Sequence, residues 1–353
     1  MLDAATERRL TSFSHGAGCG CKLGPDDLLT VLGGLDLPAA SGELLVGADT
    51  GDDAAVYRLP SGEQVIATLD FFTPIVDDPY DWGRIAATNA LSDVYAMGGR
   101  PLLALNIVNW PVDDLPLEML GRVLQGGIDV AAGEGVAVAG GHSITDPEPK
   151  YGMVVVGLVG GDDAVRNSTA PVGAALYLTK PLGLGIVSTA IKRGAADDDL
   201  VAAAVRLMTT TNRAAAEAMR EAHAAAATDV TGFGLLGHLH RMLLASGVAA
   251  RLDADAAPLL DARILDLARR DVVPGGTKRN LAHVRPHTDF GDLPDPERLI
   301  LADAQTSGGL LIAATDEPSI EAAFRERDIE ASRIGEVVAG TPGSIAIAGS
   351  LRG

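Results

Sequence analysis

Nine carboxylates, Asp49, Asp52, Asp53, Glu63, Asp70, Asp77, Asp78, Asp81 and Asp93, stand within 45 residues and face only Arg58 and Arg84. A solvated acidic face is the ordinary outcome of such a run. Two details point to more. Asp70 ends an apolar strand pattern and Asp53 precedes another, and carboxylates at strand ends can converge on a hard cation such as Mg²⁺, which takes oxygen ligands. Asn89 and Asp93 lie four residues apart in a helical pattern and so share a face. Ala86, Ala87, Ala90, Leu91 and Val94 around them predict a largely buried helix, where an Asp needs a partner. A metal ion is one partner; a neighbouring backbone N–H is the other.

Three further segments carry chemistry. Thr228-Asp229-Val230-Thr231-Gly232-Phe233-Gly234 places an Asp after a short strand and before a helix, either completing a metal site from a second domain or capping the helix. Gly140-Gly141-His142-Ser143 follows a strand, where a glycine turn can aim N–H groups at an anion; a structural His142 is the plain alternative. Gly16-Ala17-Gly18-Cys19-Gly20-Cys21-Lys22 fails as a Walker loop, because Cys21 stands where Gly is needed and Leu23 where Ser or Thr is needed. It offers two soft thiols and one cation, Lys22, the sole Lys or Arg between Arg9 and Arg58. With no other Cys to complete a thiolate set, zinc is the weaker reading.

The elements that position these groups follow from pattern. Residues 54–59 and 64–69 flank Pro60-Ser61-Gly62-Glu63 and predict a hairpin. Helices are expected from about Pro25 to Gly33, over 81–97 (stopped by Gly98-Gly99), 115–134, 200–222, 234–246 and 320–327. Strands are expected over 102–108, 136–139, 153–159, 174–179, 227–230, 308–313 and 345–347. The mixture of hairpin pairs and helices predicts an α+β fold in two domains. The segment up to Lys22 has no pattern and is expected to be a mobile loop.

Composition narrows the function. The 353 residues carry a net charge of −19, which argues against nucleic acid as a partner. No run approaches the ~18 apolar residues of a membrane span. The start, with Glu7, Arg8 and Arg9, lacks a secretory signal's apolar core, and two cysteines two residues apart cannot staple a fold, so a cytoplasmic location is expected. The acidity is uneven: residues 1–170 hold 9 basic and 24 acidic side chains, residues 171–353 hold 19 and 23.

Together these pieces resemble selenophosphate synthetase, the selenide, water dikinase family. The resemblance is carried by Ser14–Lys22, Asp52-Asp53-Ala54-Ala55-Val56-Tyr57, Thr68–Asp77, Gly83–Gly99, Ala139–Ser143, Thr228–His238, Pro274–Asn280 and Gln305–Leu311. It implies two α+β domains with the fold of aminoimidazole ribonucleotide synthetase and a homodimer paired through the N-terminal sheets. It implies a flexible catalytic segment with the first helix over 1–48, an ATP- and metal-binding domain over 49–170 and a second domain over 171–353. The implied reaction turns ATP, selenide and water into selenophosphate, AMP and orthophosphate with Mg²⁺, and admits a selenium-delivery protein as partner.

Position by position, the resemblance implies Cys19 and Lys22 as catalytic. Asp53, Asp93 and Asp229 become metal ligands. Lys22, Thr50, Gly51, Asp52, Asp70, Asn89 and Asp93 serve the nucleotide phosphates or their metals, and Gly141, His142 and Ser143 are offered to ATP across the dimer. Two positions depart from the family pattern: Gly51 replaces a larger, often basic residue, and Ala304 replaces a Pro. The competing readings are a thiamine-monophosphate kinase or the purine synthetase on the same fold, and a non-catalytic metal or selenium carrier.

Overall fold

The computed structural model describes residues 9–16, 22, 30–31, 35, 42–47, 52–160 and 164–352. Cys19, Cys21, Thr50, Gly51 and nearly all of the helix expected from Pro25 lie outside them.

The first sheet contains β1 (Leu44–Val46), β2 (Ala55–Arg58), β3 (Gln64–Phe72), β4 (Arg100–Trp110), β5 (Ala137–Thr145) and β6 (Lys150–Val159). Their order is β1-β2-β3-β6-β4-β5, antiparallel except for the β4–β5 pair. Helices α1 (Pro79–Ala96) and α2 (Leu117–Gly133) belong to this unit, α2 being the crossover that the parallel β4–β5 pair requires. Asp78 caps α1 by accepting from Asp81 N, and Pro79 fits the first helical position. The two helices approach closely because Gly83 and Gly126 lie between them: a Cβ on Gly83 would sit 1.9 Å from Val123 O, and one on Gly126 2.1 Å from Tyr80 O. Trp82 stacks on Trp110 and meets Tyr151 edge-on beneath.

The second unit runs β7 (Ala175–Leu178), α3 (Leu184–Lys192), α4 (Asp198–Met208), α5 (Arg213–Glu221), β8 (Ala226–Asp229), α6 (Gly234–Ser246), β9 (Ala249–Asp253), α7 (Arg263–Arg269), α8 (Gly275–Val284), β10 (Thr288–Asp289), α9 (Asp295–Leu301), β11 (Leu310–Ala314), α10 (Glu317–Glu326), β12 (Ser332–Val338) and β13 (Ile345–Ala348). Its seven strands are ordered β10-β13-β9-β12-β7-β11-β8. The architecture is α+β, with two sheets. Helix α1 is buried on nearly every side, between its own sheet and the second unit, which places its polar residues at the junction.

Three expectations need correction. The single helix over 200–222 is two, α4 and α5. The break falls at Thr209-Thr210, whose hydroxyls bond back to Val205 O and Arg206 O, and at Asn212, whose amide donates to Ser92 Oγ and Gly308 O. The glycine turn at 140–141 is no turn: β5 continues through Gly140 and Gly141, both at positive φ, with a register slip against β4. Residues 9–16 are docked rather than unanchored. Leu10 is fully buried, Arg9 and Thr11 bond Asp77, Ser14 bonds Thr73, and Lys192 holds the carbonyls of Ser14 and Gly16.

Candidate active site

Strand alternation builds one wall of the site. Along β3, Gln64, Ile66, Asp70 and Phe72 turn to the buried side, and Thr68 shares their face. Thr68 Oγ1 donates to Asp93 Oδ2 on α1, and Lys22 Nζ donates to Asp70 Oδ2 at 2.7 Å. The second unit supplies Thr228 and Asp229 at the end of β8. Thr228 Oγ1 donates to Asp53 Oδ1 at 2.7 Å, a bond between units, and Asp229 takes a hydrogen bond from Ser92 of α1. Asp52 accepts from the N–H groups of Asp53 and Asn167.

Lys22, Asp52, Asp53, Thr68, Asp70, Asp93, Asn167, Thr228 and Asp229 line a cavity of about 150 Å³, together with Leu69, Thr231, Phe233, His238 and Arg241. It is smaller than the roughly 300 Å³ at which small-molecule pockets begin, so it suits ions and phosphate oxygens rather than a whole nucleotide. A larger cleft of about 780 Å³ lies elsewhere between the units, walled by Tyr95, Glu134, Arg213 and Arg220. Glu63 of the acidic run lines it, but none of the candidate catalytic, phosphate-binding or metal residues does. Two of its arginines are already engaged, Arg213 by Glu217 and Arg220 by Gly98 O and Gly160 O.

Four carboxyls of the small cavity, Asp52, Asp53, Asp93 and Asp229, are perturbed in one direction. Burial pushes Asp229 and Asp52 up to about 6, against hydrogen bonds that pull them down. Asp53 and Asp93 are raised well above the usual carboxylate range, by burial first and then by the charge of Asp229 and other neighbouring aspartates. Asp53 Oδ2 and Asp229 Oδ2 are buried with no hydrogen-bond partner among the described residues. Buried, mutually repelling carboxylates with orphaned oxygens are a donor set that a hard divalent cation satisfies.

Ligand atoms of Asp53, Asp229 and His238 lie within 4.8 Å of one another. His238 nevertheless accepts from Thr231 N through Nε2 at 3.2 Å, and burial drives its pKa down to about 3. It is therefore a neutral ring, held by the turn between β8 and α6.

The structure thus gathers Lys22, Asp52, Asp53, Asp70, Asp93 and Asp229. Among the described residues, Asn89, Gly141, His142 and Ser143 do not line the cavity, while Cys19, Thr50 and Gly51 lie outside the described residues. Asn89 Oδ1 accepts from Ser307 N at 2.8 Å, tying α1 to the second unit. Gly141, His142 and Ser143 are exposed on the edge strand β5. Ala304 N donates to Thr277 Oγ1 at 3.0 Å, a bond that the family's Pro could not make. Sequence reasoning gave no role to Thr68, Thr228, His238 or Arg241. Thr68 could have been found two residues before Asp70 on the same strand face, and Arg241 three residues after His238 on one helix face.

Residues 51–159 match the family described as AIR synthase related protein, N-terminal domain, and residues 171–347 match its C-terminal domain. A protein of Myxococcus xanthus named "Selenide, water dikinase" is 51% identical over 350 residues, covering 97% of this chain and 99% of its own. A protein of the same name from Escherichia coli strain K12 is 46% identical over 332 residues, covering 94% and 95%. The chain belongs to the selenide, water dikinase family. Solved structures agree on the fold of this family. A thiamine-monophosphate kinase from Stenotrophomonas maltophilia superposes with a TM-score of 0.64 at 23% identity, over 93% of this chain and 96% of its own. A hydrogenase maturation protein in complex with ATP gives 0.61 at 19%, over 96% and 93%. At such identities the likeness concerns architecture alone.

Proposed function

We infer that the chain carries out its family's reaction, the ATP-dependent synthesis of selenophosphate from selenide and water with release of AMP and orthophosphate. The observation that carries this reading is the convergence of Asp53, Asp70, Asp93 and Asp229 from both units on one cavity that also receives Lys22. Carboxylates alone would repel a triphosphate. Asp53, Asp93 and Asp229 would hold a divalent cation such as Mg²⁺, which when bound neutralises phosphate charge at this site. Lys22, drawn to Asp70, would meet the charge on the phosphoryl group as selenide attacks it, and Cys19 would handle selenium. Phosphoryl transfer asks mainly for such positioning and charge compensation. Water then cleaves the remaining ADP to AMP and orthophosphate.

The assignment of residues 49–170 to ATP and metal and of 171–353 to the second unit is part of this proposal, supported by the two separate sheets. So is a homodimer through the first sheet. Its supports are the exposed edge strand β5, with Ile144 half exposed, and the apolar outer face bearing Leu69 and Phe71. Gly141, His142 and Ser143 would then reach a partner's nucleotide. No helix among the described residues is long and apolar enough to cross a membrane; a cytoplasmic site of action is likewise part of the proposal.

Phosphorus NMR of the full chain with ATP, Mg²⁺ and selenide tests the reaction. Selenophosphate and AMP should appear together, and only when selenide is present. ADP as the sole nucleotide product would instead favour a kinase of the thiamine-monophosphate type.

A further inference from the structure

Helix α6 sends two polar side chains to the cavity, His238 and Arg241, three residues apart. The His238 ring is accounted for by its bond to Thr231. Arg241 is not. It is partly buried, its guanidinium stands 5.4 Å from the Phe233 ring centroid, and among the described residues it makes no hydrogen bond or ion pair. The two carboxylates near it meet other donors: Asp52 the N–H groups of Asp53 and Asn167, and Asp53 Thr228 through Oδ1.

A guanidinium carries five N–H donors, and leaving them unfilled away from water is unfavourable. The Phe233 face orients the group but satisfies none of those donors. What the geometry lacks is an anion with several oxygens entering from the cavity. The planar fork matches a phosphate in two parallel bonds, which the point charge of Lys22 cannot do. The charge of Lys22 is felt by Asp93 and Asp229, that of Arg241 by Asp52 and Asp53, so the two cations act on different members of the carboxylate group.

We propose that Arg241 is a phosphate-binding residue of this site, gripping phosphoryl oxygens of the nucleotide or of the orthophosphate released. The proposal rests on the reading of the cavity as a phosphate-handling site. Its rival is a purely local role, in which Arg241 only balances Asp52 and Asp53.

Isothermal titration calorimetry on the full-length chain, at saturating Mg²⁺, separates these. The probes are inorganic phosphate, AMP and the β,γ-methylene analogue of ATP, each against wild type, Arg241→Met and Arg241→Lys, with equal melting temperatures as the check on folding. Arg241→Met should weaken binding of one phosphate probe by about 10- to 100-fold, the range for a charge-assisted bond, and Arg241→Lys by less. Loss confined to the ATP analogue assigns the grip to the nucleotide; loss confined to inorganic phosphate assigns it to the product. If Arg241→Met binds every probe like wild type, the charge-balance role stands and the proposal is overturned. A second, conservative variant, Arg241→Gln, carries the same comparison if the Met variant does not fold. A wild-type chain that binds none of the probes would overturn the phosphate-site reading itself.

Discussion

Lys22 Nζ and Asp70 Oδ2 lie 2.7 Å apart, joining a residue of the N-terminal segment to the middle of the first sheet. Asp70 is 6% exposed and Lys22 37%, so the anion is fixed by the strand while the cation reaches in from outside. An arrangement of this kind leaves Lys22 able to exchange Asp70 for a phosphate oxygen without leaving the cavity.

Lys22→Ala should therefore lower selenide-dependent AMP formation by roughly 10²–10³-fold, the scale for removing one donor aimed at developing charge. Lys22→Arg should retain part of it. Because Lys22 is one-third exposed, the thermal midpoint should hardly move. Turnover by the Ala variant at the wild-type rate, read by phosphorus NMR, would remove Lys22 from the chemistry.

Thr228 orients Asp53 across the junction of the two units. Thr228→Val keeps the shape and deletes that bond, so Mn²⁺ affinity should fall by about 10- to 100-fold, the usual effect of losing a ligand's hydrogen-bond partner. Asp229→Asn should fall further. Calorimetric titration with Mn²⁺ decides it, and unchanged affinity in both variants would show that the cation binds elsewhere.

The raised carboxyls make stability depend on pH. In the metal-free folded chain Asp52 and Asp229 hold their protons up to about 6, whereas the ordinary value is 3.8. The folded state thus binds more protons than the unfolded state between these limits. Stability should fall as pH rises from about 4 through about 6, then level off for these two groups. Mg²⁺ replaces the protons, so the rise in melting temperature on adding it should be larger at pH 7.5 than at pH 5. Equal rises at both pH values would contradict the assignment.

The α+β class and the acidic wall of the site are both legible in the sequence: Asp53, Asp70, Asp93 and Asp229 stand at strand ends and on one helix face, and the structure brings all four together. Asn89 shares the helix face of Asp93, and the same spacing equally suits a side chain tying α1 to Ser307. An Ala-rich run continues on either side of Thr209 and Thr210, so the local pattern there is that of a helix interior. Their return bonds reach only one turn back, to Val205 O and Arg206 O, but the contacts of Asn212 with Ser92 and Gly308 across the junction come from partners about 100 residues away in sequence, which no local pattern encodes. Strands β9 and β12 were missed for a similar reason: their pairing with each other, Gly335 opposite Leu252, is a property of the sheet rather than of either segment.

Gly152 connects this packing to the chemistry. It lies on β6 opposite Phe71, and a Cβ there would sit 1.9 Å from the carbonyl oxygen of Asp70 and 2.5 Å from Phe71 Cα. Both are backbone atoms, so β3 itself must shift. Gly152→Ala should cost about 1–3 kcal/mol or more by overpacking, and should displace Asp70 from Lys22 so that activity falls further than stability alone explains. Gly121→Ala is the matched control. It is exposed on α2 with nothing within 4 Å of its added Cβ, and should stabilise by about 1 kcal/mol through helix propensity with activity unchanged. Denaturant titration and steady-state assays on the two variants give the comparison. A Gly152→Ala chain as stable and active as wild type would show that β3 yields at Asp70 without consequence for the site.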